Sequence, residues 1–233
     1  LNLTSWCISE TIDAPAPTTE DELMSTRLFA VFFVAMMFPL TATSQASKFE
    51  LNGSTLIYDT SSASNEQEQE ITWEDVDELD ALLKSEQSIK EIELNSAGGD
   101  VEAAFYMADL IIDYELDTNV KGTCESACTL MLLAGERRTV ERGSWVGFHQ
   151  SYWDAPYIQG YFERNKDSKG WSNAFEFASW MYEDTQREVL RNLQYFVERG
   201  VDAGFAIKTM KATSDDMWYP RRKELEAAGV IVE

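Results

Sequence analysis

The chain has 233 residues, with 19 basic and 41 acidic side chains and a formal net charge of −22. Hydrophobic residues make up 44%, which excludes a wholly disordered chain, and the acidity excludes nucleic acid or an anionic membrane surface as partner, because phosphates would be repelled. A single histidine excludes a multi-histidine metal site, no cofactor is expected, and three cysteines, Cys7, Cys124 and Cys128, leave an odd count.

Residues 24–46 read as a secretory signal: Arg27 after Met24, an apolar run from Leu28 to Leu40, then Ser44-Gln45-Ala46 at a small-x-small cleavage site. The run is too short for a comfortable transmembrane anchor, although a signal anchor or a core helix are the competing readings. Residues 1–23 would then lie upstream of the native start at Met24. Residues 47–233 would form the mature chain of 187 residues, net charge −18, periplasmic or secreted and free of the membrane once the signal is cleaved. Only Cys124 and Cys128 remain in it, in a compartment that permits a disulfide.

Along that domain, residues 48–58 read as a hairpin turning at Asn52-Gly53. A polar loop covers 60–70. Thr72 precedes a helix over 73–85, with Val76, Leu79, Leu82 and Leu83 at helical spacing. Residues 89–95 alternate as a strand, and Asp100 caps a helix over 101–114. A strand over 117–122 leads to a helix from Ser126 to Ala134. Short strands are predicted over 137–141 and 144–149. Residues 150–171 are aromatic with poor periodicity. Helices follow over 172–199 and 201–211, Pro220 opens another at N1, and 230–232 closes as a strand. Strands alternating with helices predict a single α/β domain with a largely parallel sheet.

Three pieces carry chemistry. Asn95-Ser96-Ala97-Gly98-Gly99-Asp100 ends a strand, turns on two glycines and opens a helix, a setting that suits an oxyanion hole but also an ordinary strand-to-helix turn. Gly122-Thr123-Cys124-Glu125-Ser126-Ala127-Cys128 places a serine between strand and helix, either as an exposed nucleophile or as a simple N-cap. His149, the lone histidine, ends a strand 23 residues after Ser126 and is suited by its chemistry to take a serine proton. The two cysteines flank the serine at a spacing that permits a bracing disulfide; two buried small hydrophobes is the alternative.

In order and spacing these pieces resemble the Clp protease proteolytic subunit family, within the crotonase-like fold of repeated ββα units. The resemblance is carried by Asn95-Ser96-Ala97-Gly98-Gly99, Ser126 and His149-Gln150, with Ala97 where the family has proline. It implies Ser126 as nucleophile, His149 as general base, Gly98 or Gly99 with Ala127 as oxyanion donors, and a third triad residue, an aspartate, near the chain's Gly229-Val230-Ile231 end. Asp215 is the expected candidate, and a bare Ser–His dyad is the alternative. It also implies a homo-oligomer. The leading expectation is a secreted, ATP-independent serine hydrolase of the peptidase kind, acting on peptides or unfolded polypeptide. The alternative is a catalytically inactive periplasmic binding or assembly module on the same fold. Tyr152, Trp153, Tyr157, Tyr161 and Phe162 are candidates for a substrate cleft, a subunit interface or a small core.

Overall fold

The computed structural model describes residues 47–63 and 69–233. The upstream segment 1–23, the signal reading of 24–46 and Cys7 lie outside the described residues. The predicted hairpin forms as β1 (Phe49–Asn52) and β2 (Thr55–Asp59), paired antiparallel. Then β3 (Glu91–Ser96), β4 (Asp117–Glu125), β5 (Arg138–Val140) and β6 (Trp145–Gly147) add in parallel. Sheet order is β1-β2-β3-β4-β5, and β6 also pairs with β4. The mixed α/β architecture with a mostly parallel sheet is as expected from the sequence. Parallel strands need crossovers, and the apolar helices α1 (Trp73–Ser85), α2 (Val101–Asp113) and α3 (Cys128–Ala134) supply them. One buried cluster runs from Phe49 through Leu94, Met107, Met131 and Phe148 to Ile231.

Two details of the sheet position the site. β4 continues through Gly122 instead of ending there, and its two halves take different neighbours. Residues 118–120 pair with β5, whereas 123–125 pair with β6, Glu125 lying opposite Gly147. Gly122 has φ of 111°, and a Cβ there would sit 2.3 Å from Asn95 Oδ1, so only glycine lets the strand turn against β3. The second detail is a buried knot. Asp75 Oδ2 accepts from Lys48 Nζ at 2.8 Å, Tyr58 Oη at 2.7 Å and the Thr72 N–H at 2.9 Å. Burial first, and then the Asp75 charge, drive the Tyr58 hydroxyl far above its ordinary pKa. This knot fixes the segment before α1, whose Ile71 bridges to Gly99.

The C-terminal half departs from the sequence reading in four places. Residues 155–169 form a helix, α4 (Ala155–Lys169), inside the stretch that shows poor periodicity. Asp154 caps it, Pro156 sits in its first turn and Gly170 stops it in the left-handed region. It buries no residue fully; Ile158, Tyr161 and Phe162 make a short half-buried stripe among polar and charged neighbours, a weak signal for a periodicity search. The second departure is at Ser126, which does not start a helix: α3 begins at Cys128, behind Ala127. α5 (Ala174–Glu198) and α6 (Ala203–Thr209) follow as expected within a few residues. α7 (Arg222–Ala227) is capped by Arg221, so Pro220 precedes the helix rather than occupying its first position. Finally, 230–232 makes a single antiparallel bridge, Val232 to Arg138, instead of a strand. Among the described residues no helix is long and apolar enough to cross a membrane.

Candidate active site

Ser126 stands just past the end of β4 with φ of 52°, a left-handed backbone that a β-carbon disfavours by roughly 1–3 kcal/mol. Several contacts hold it there. The Ser126 N–H donates to Gly147 O at 3.0 Å, and the Ser126 carbonyl accepts from the Thr129 N–H at 3.0 Å and from Thr129 Oγ1 at 2.7 Å. A Cys124–Cys128 disulfide closes the turn, with Cα atoms 5.3 Å apart and both residues fully buried. The serine is therefore a side chain thrust out of a sharp strand-to-helix turn, the geometry of a nucleophile elbow, and not an N-cap.

His149 lies two residues past the end of β6. Phe148 before it exchanges both backbone hydrogen bonds with Trp218, at 3.0 and 2.9 Å. Gln150 after it donates its N–H to Ala212 O at 3.0 Å and its Nε2 to Met210 O at 2.7 Å. Held from both sides, the ring brings Nε2 to 2.7 Å from Ser126 Oγ. The two residues meet because the strands carrying them are adjacent and end in register.

The glycine turn packs directly onto the serine. A Cβ on Gly98 would stand 2.7 Å from Ser126 Cβ and 3.1 Å from Ala127 N. Gly98 cannot also serve as an oxyanion donor in this arrangement, because its N–H donates to Ser96 Oγ at 3.1 Å. The Gly99 N–H is not spent in this way. Its neighbours Gly98 and Asp100 spend their polar groups on Ile71, whereas the N–H groups of Gly99 and Ala127 have no protein acceptor among the described residues. Asn95 and Ser96, quoted in the motif only as its leading residues, have bracing roles. Asn95 Oδ1 accepts from the Thr123 N–H at 2.9 Å and its Nδ2 donates to Asp59 at 3.0 Å, tying β3 to the far half of β4. Ser96 Oγ also takes the Thr60 hydroxyl at 3.2 Å.

The fold is Clp protease-like. The structure of the ClpP1 N165D mutant from Listeria monocytogenes aligns with a TM-score of 0.50 at 20% identity, over 70% of this chain and 84% of that one. No protein-family model matches the sequence, and no curated protein matches it. At this identity the likeness concerns the fold, and the chemistry of the site rests on the geometry above.

The expected aspartate is not brought to the histidine. Asp215 is exposed and accepts from Thr213 Oγ1 at 2.5 Å, a bond that holds its carboxyl below the usual range. The residues of that segment that meet the His149 loop are Met210 and Ala212, through their carbonyls. His149 Nδ1 is buried and has no partner among the described residues. Glu125, beside the nucleophile, is held on the rim by Tyr219, whose hydroxyl donates to it at 2.8 Å and is thereby pushed up to about 12.

Ser126 and His149 open into a small, partly open cleft. Its apolar walls are Val101, Leu130, Phe148, Leu193, Phe196 and Met210, with Ser151 and Asn192 among its polar groups. The sequence reading missed the α5 wall. Its one signal is a polar Asn192 set into the apolar face that Val189, Leu193 and Phe196 make. The aromatic stretch, a candidate for cleft, interface or small core, divides: Tyr152 stays beside His149, its ring 6.3 Å away, whereas Trp153 packs on Tyr157 and on Tyr161 at 5.1 Å each and Tyr161 lies 5.9 Å from Trp180, a small core between α4 and α5. Among the described residues no three His, Cys, Asp or Glu side chains are grouped to hold a metal ion.

Proposed function

We propose that this chain is an exported serine hydrolase, acting without ATP on peptides or partly unfolded polypeptide. The observation that carries the reading is the 2.7 Å approach of His149 Nε2 to a Ser126 Oγ held on a left-handed turn. In the proposed reaction the Oγ attacks a carbonyl carbon while Nε2 takes its proton. The carbonyl oxygen becomes an oxyanion facing the Gly99 and Ala127 N–H groups. Collapse expels the amine, which receives the proton from Nε2, and water then releases the acyl group by the same route. The apolar cleft walls suit an aliphatic or aromatic side chain beside the scissile bond. Export is supported by the signal pattern in the sequence, and a disulfide behind the nucleophile is chemistry for an oxidising compartment. Self-association is supported by the largely exposed α4 and by Phe175 and Tyr182 on α5, 86% and 72% exposed.

A fluorophosphonate probe tests the reading. Wild-type protein is expected to label at one site and Ser126→Ala to lose both labelling and hydrolysis. Equal labelling of the two would rule out Ser126. The second reading, an inactive binding module on this fold, is favoured by one observation, the absence of a carboxylate on His149 Nδ1 among the described residues; a wild-type protein that takes no probe would establish it.

A further inference from the structure

Three buried side-chain polar atoms among the described residues have no partner: Arg138 Nε, His149 Nδ1 and Asn192 Oδ1. The last two border the same cleft. They are also complementary. When Ser126 donates its hydroxyl proton to Nε2, the neutral imidazole carries its own proton on Nδ1, so Nδ1–H is a donor. Asn192 Oδ1 is an acceptor. Leaving either group unmet in a buried site costs roughly 1–3 kcal/mol, so both seek a partner. They make no direct hydrogen bond with each other, and Ser151, which lines the same cleft, offers a third polar group. A water needs two to four such partners.

We propose that Asn192 on α5 orients the catalytic histidine, its Oδ1 accepting the His149 Nδ1–H through one bridging water. The inference deepens the serine-hydrolase reading and rests on it for its consequence in catalysis. Amides hold imidazoles in Cys-His-Asn enzymes, so a carboxylate is not required to fix the tautomer. The nearest carboxylate on the same helix, Glu188, is set one turn further along and is not part of the cleft wall. Burial raises its pKa, and Ser151 beside it opposes that shift.

The chain's lone histidine allows a direct test. In untagged protein labelled with 15N-histidine, one imidazole gives the whole signal, and wild type is expected to show the Nδ1–H tautomer. Asn192→Ala, and Asn192→Leu of similar volume, should shift the ring toward the Nε2–H form and lower kcat about tenfold with KM unchanged. That loss is smaller than the roughly 10⁴-fold loss when a triad acid is disabled, because a water-bridged amide orients without neutralising. Asn192→Asp should restore the tautomer and kcat. An unchanged tautomer in both the alanine and leucine variants overturns the proposal, as does a shift produced by Glu188→Gln alone. If wild type fails to label with fluorophosphonate, the hydrolase reading falls, whereas the tautomer result still decides what holds the ring.

Discussion

The two sides of His149 are built differently. Toward Ser126 every group is tied: the serine N–H to Gly147, its carbonyl to Thr129, the turn to a disulfide, and Gly98 pressed against the serine β-carbon. Away from Ser126 the ring Nδ1 has no partner among the described residues, the Gln150 N–H beside it is held by the Ala212 carbonyl, and Asp215 is exposed. The nucleophile's position is thus over-determined, while the base relies on its backbone and on a helix that arrives from far along the chain. Effects of substitution should divide along the same line, severe on the serine side and graded on the other.

The sharpest way to break the contrast is Gly98→Ala. At φ of 103°, with a new Cβ 2.7 Å from Ser126 Cβ and 2.9 Å from Glu125 O, the nucleophile turn must shift. We expect a loss of kcat/KM on the order of 100-fold, since about 1 Å of misplacement has that consequence, measured by steady-state hydrolysis of a peptide or ester. Removal of the disulfide by Cys124→Ser with Cys128→Ser comes next. A loop this short gives roughly 2 kcal/mol in the chain-entropy treatment, which urea unfolding would read as a lower midpoint. Unchanged stability would show that the hydrogen bonds alone hold the turn. Glu188→Gln probes the other side. Its folded-state carboxyl is raised, so the native form holds a proton longer and wild-type stability falls as pH rises through and above the ordinary carboxylate range. The variant should show a flatter melting temperature between pH 4 and pH 7 by calorimetry. The smallest effect belongs to Asp215→Asn, for which we expect less than a twofold change in kcat, in keeping with an exposed carboxylate bonded to Thr213. A loss of 100-fold or more would return it to the site.

Those outcomes track what the sequence could disclose. Ser126, His149 and the glycine turn stand out because each sits in a short contiguous motif at a strand end, where local rules apply. The parallel sheet follows from alternation of strand and helix patterns. α4 escapes because its stripe is short, Ile158, Tyr161 and Phe162, and gains a partner only when α5 folds back on it. The division of labour between Gly98 and Gly99 escapes too, since it depends on which neighbour Ser96 and Ile71 choose across the fold. Asp215 is expected only from its distance to the chain end, and a distance along the chain carries no information on where the 209–217 segment turns. Asn192 is a single polar residue in an apolar stripe, a signal that gains meaning only once α5 lies against the cleft.

β4 and β6 end level, with Glu125 opposite Gly147. The reacting pair therefore works as a vernier on the sheet. A slip of one residue would carry Ser126 along by about 3.3 Å and turn its side chain to the opposite face. Reaction with an active-site probe then reads strand alignment as well as chemistry, and its recovery during refolding clocks the moment at which the long-range pairing of these two strands locks.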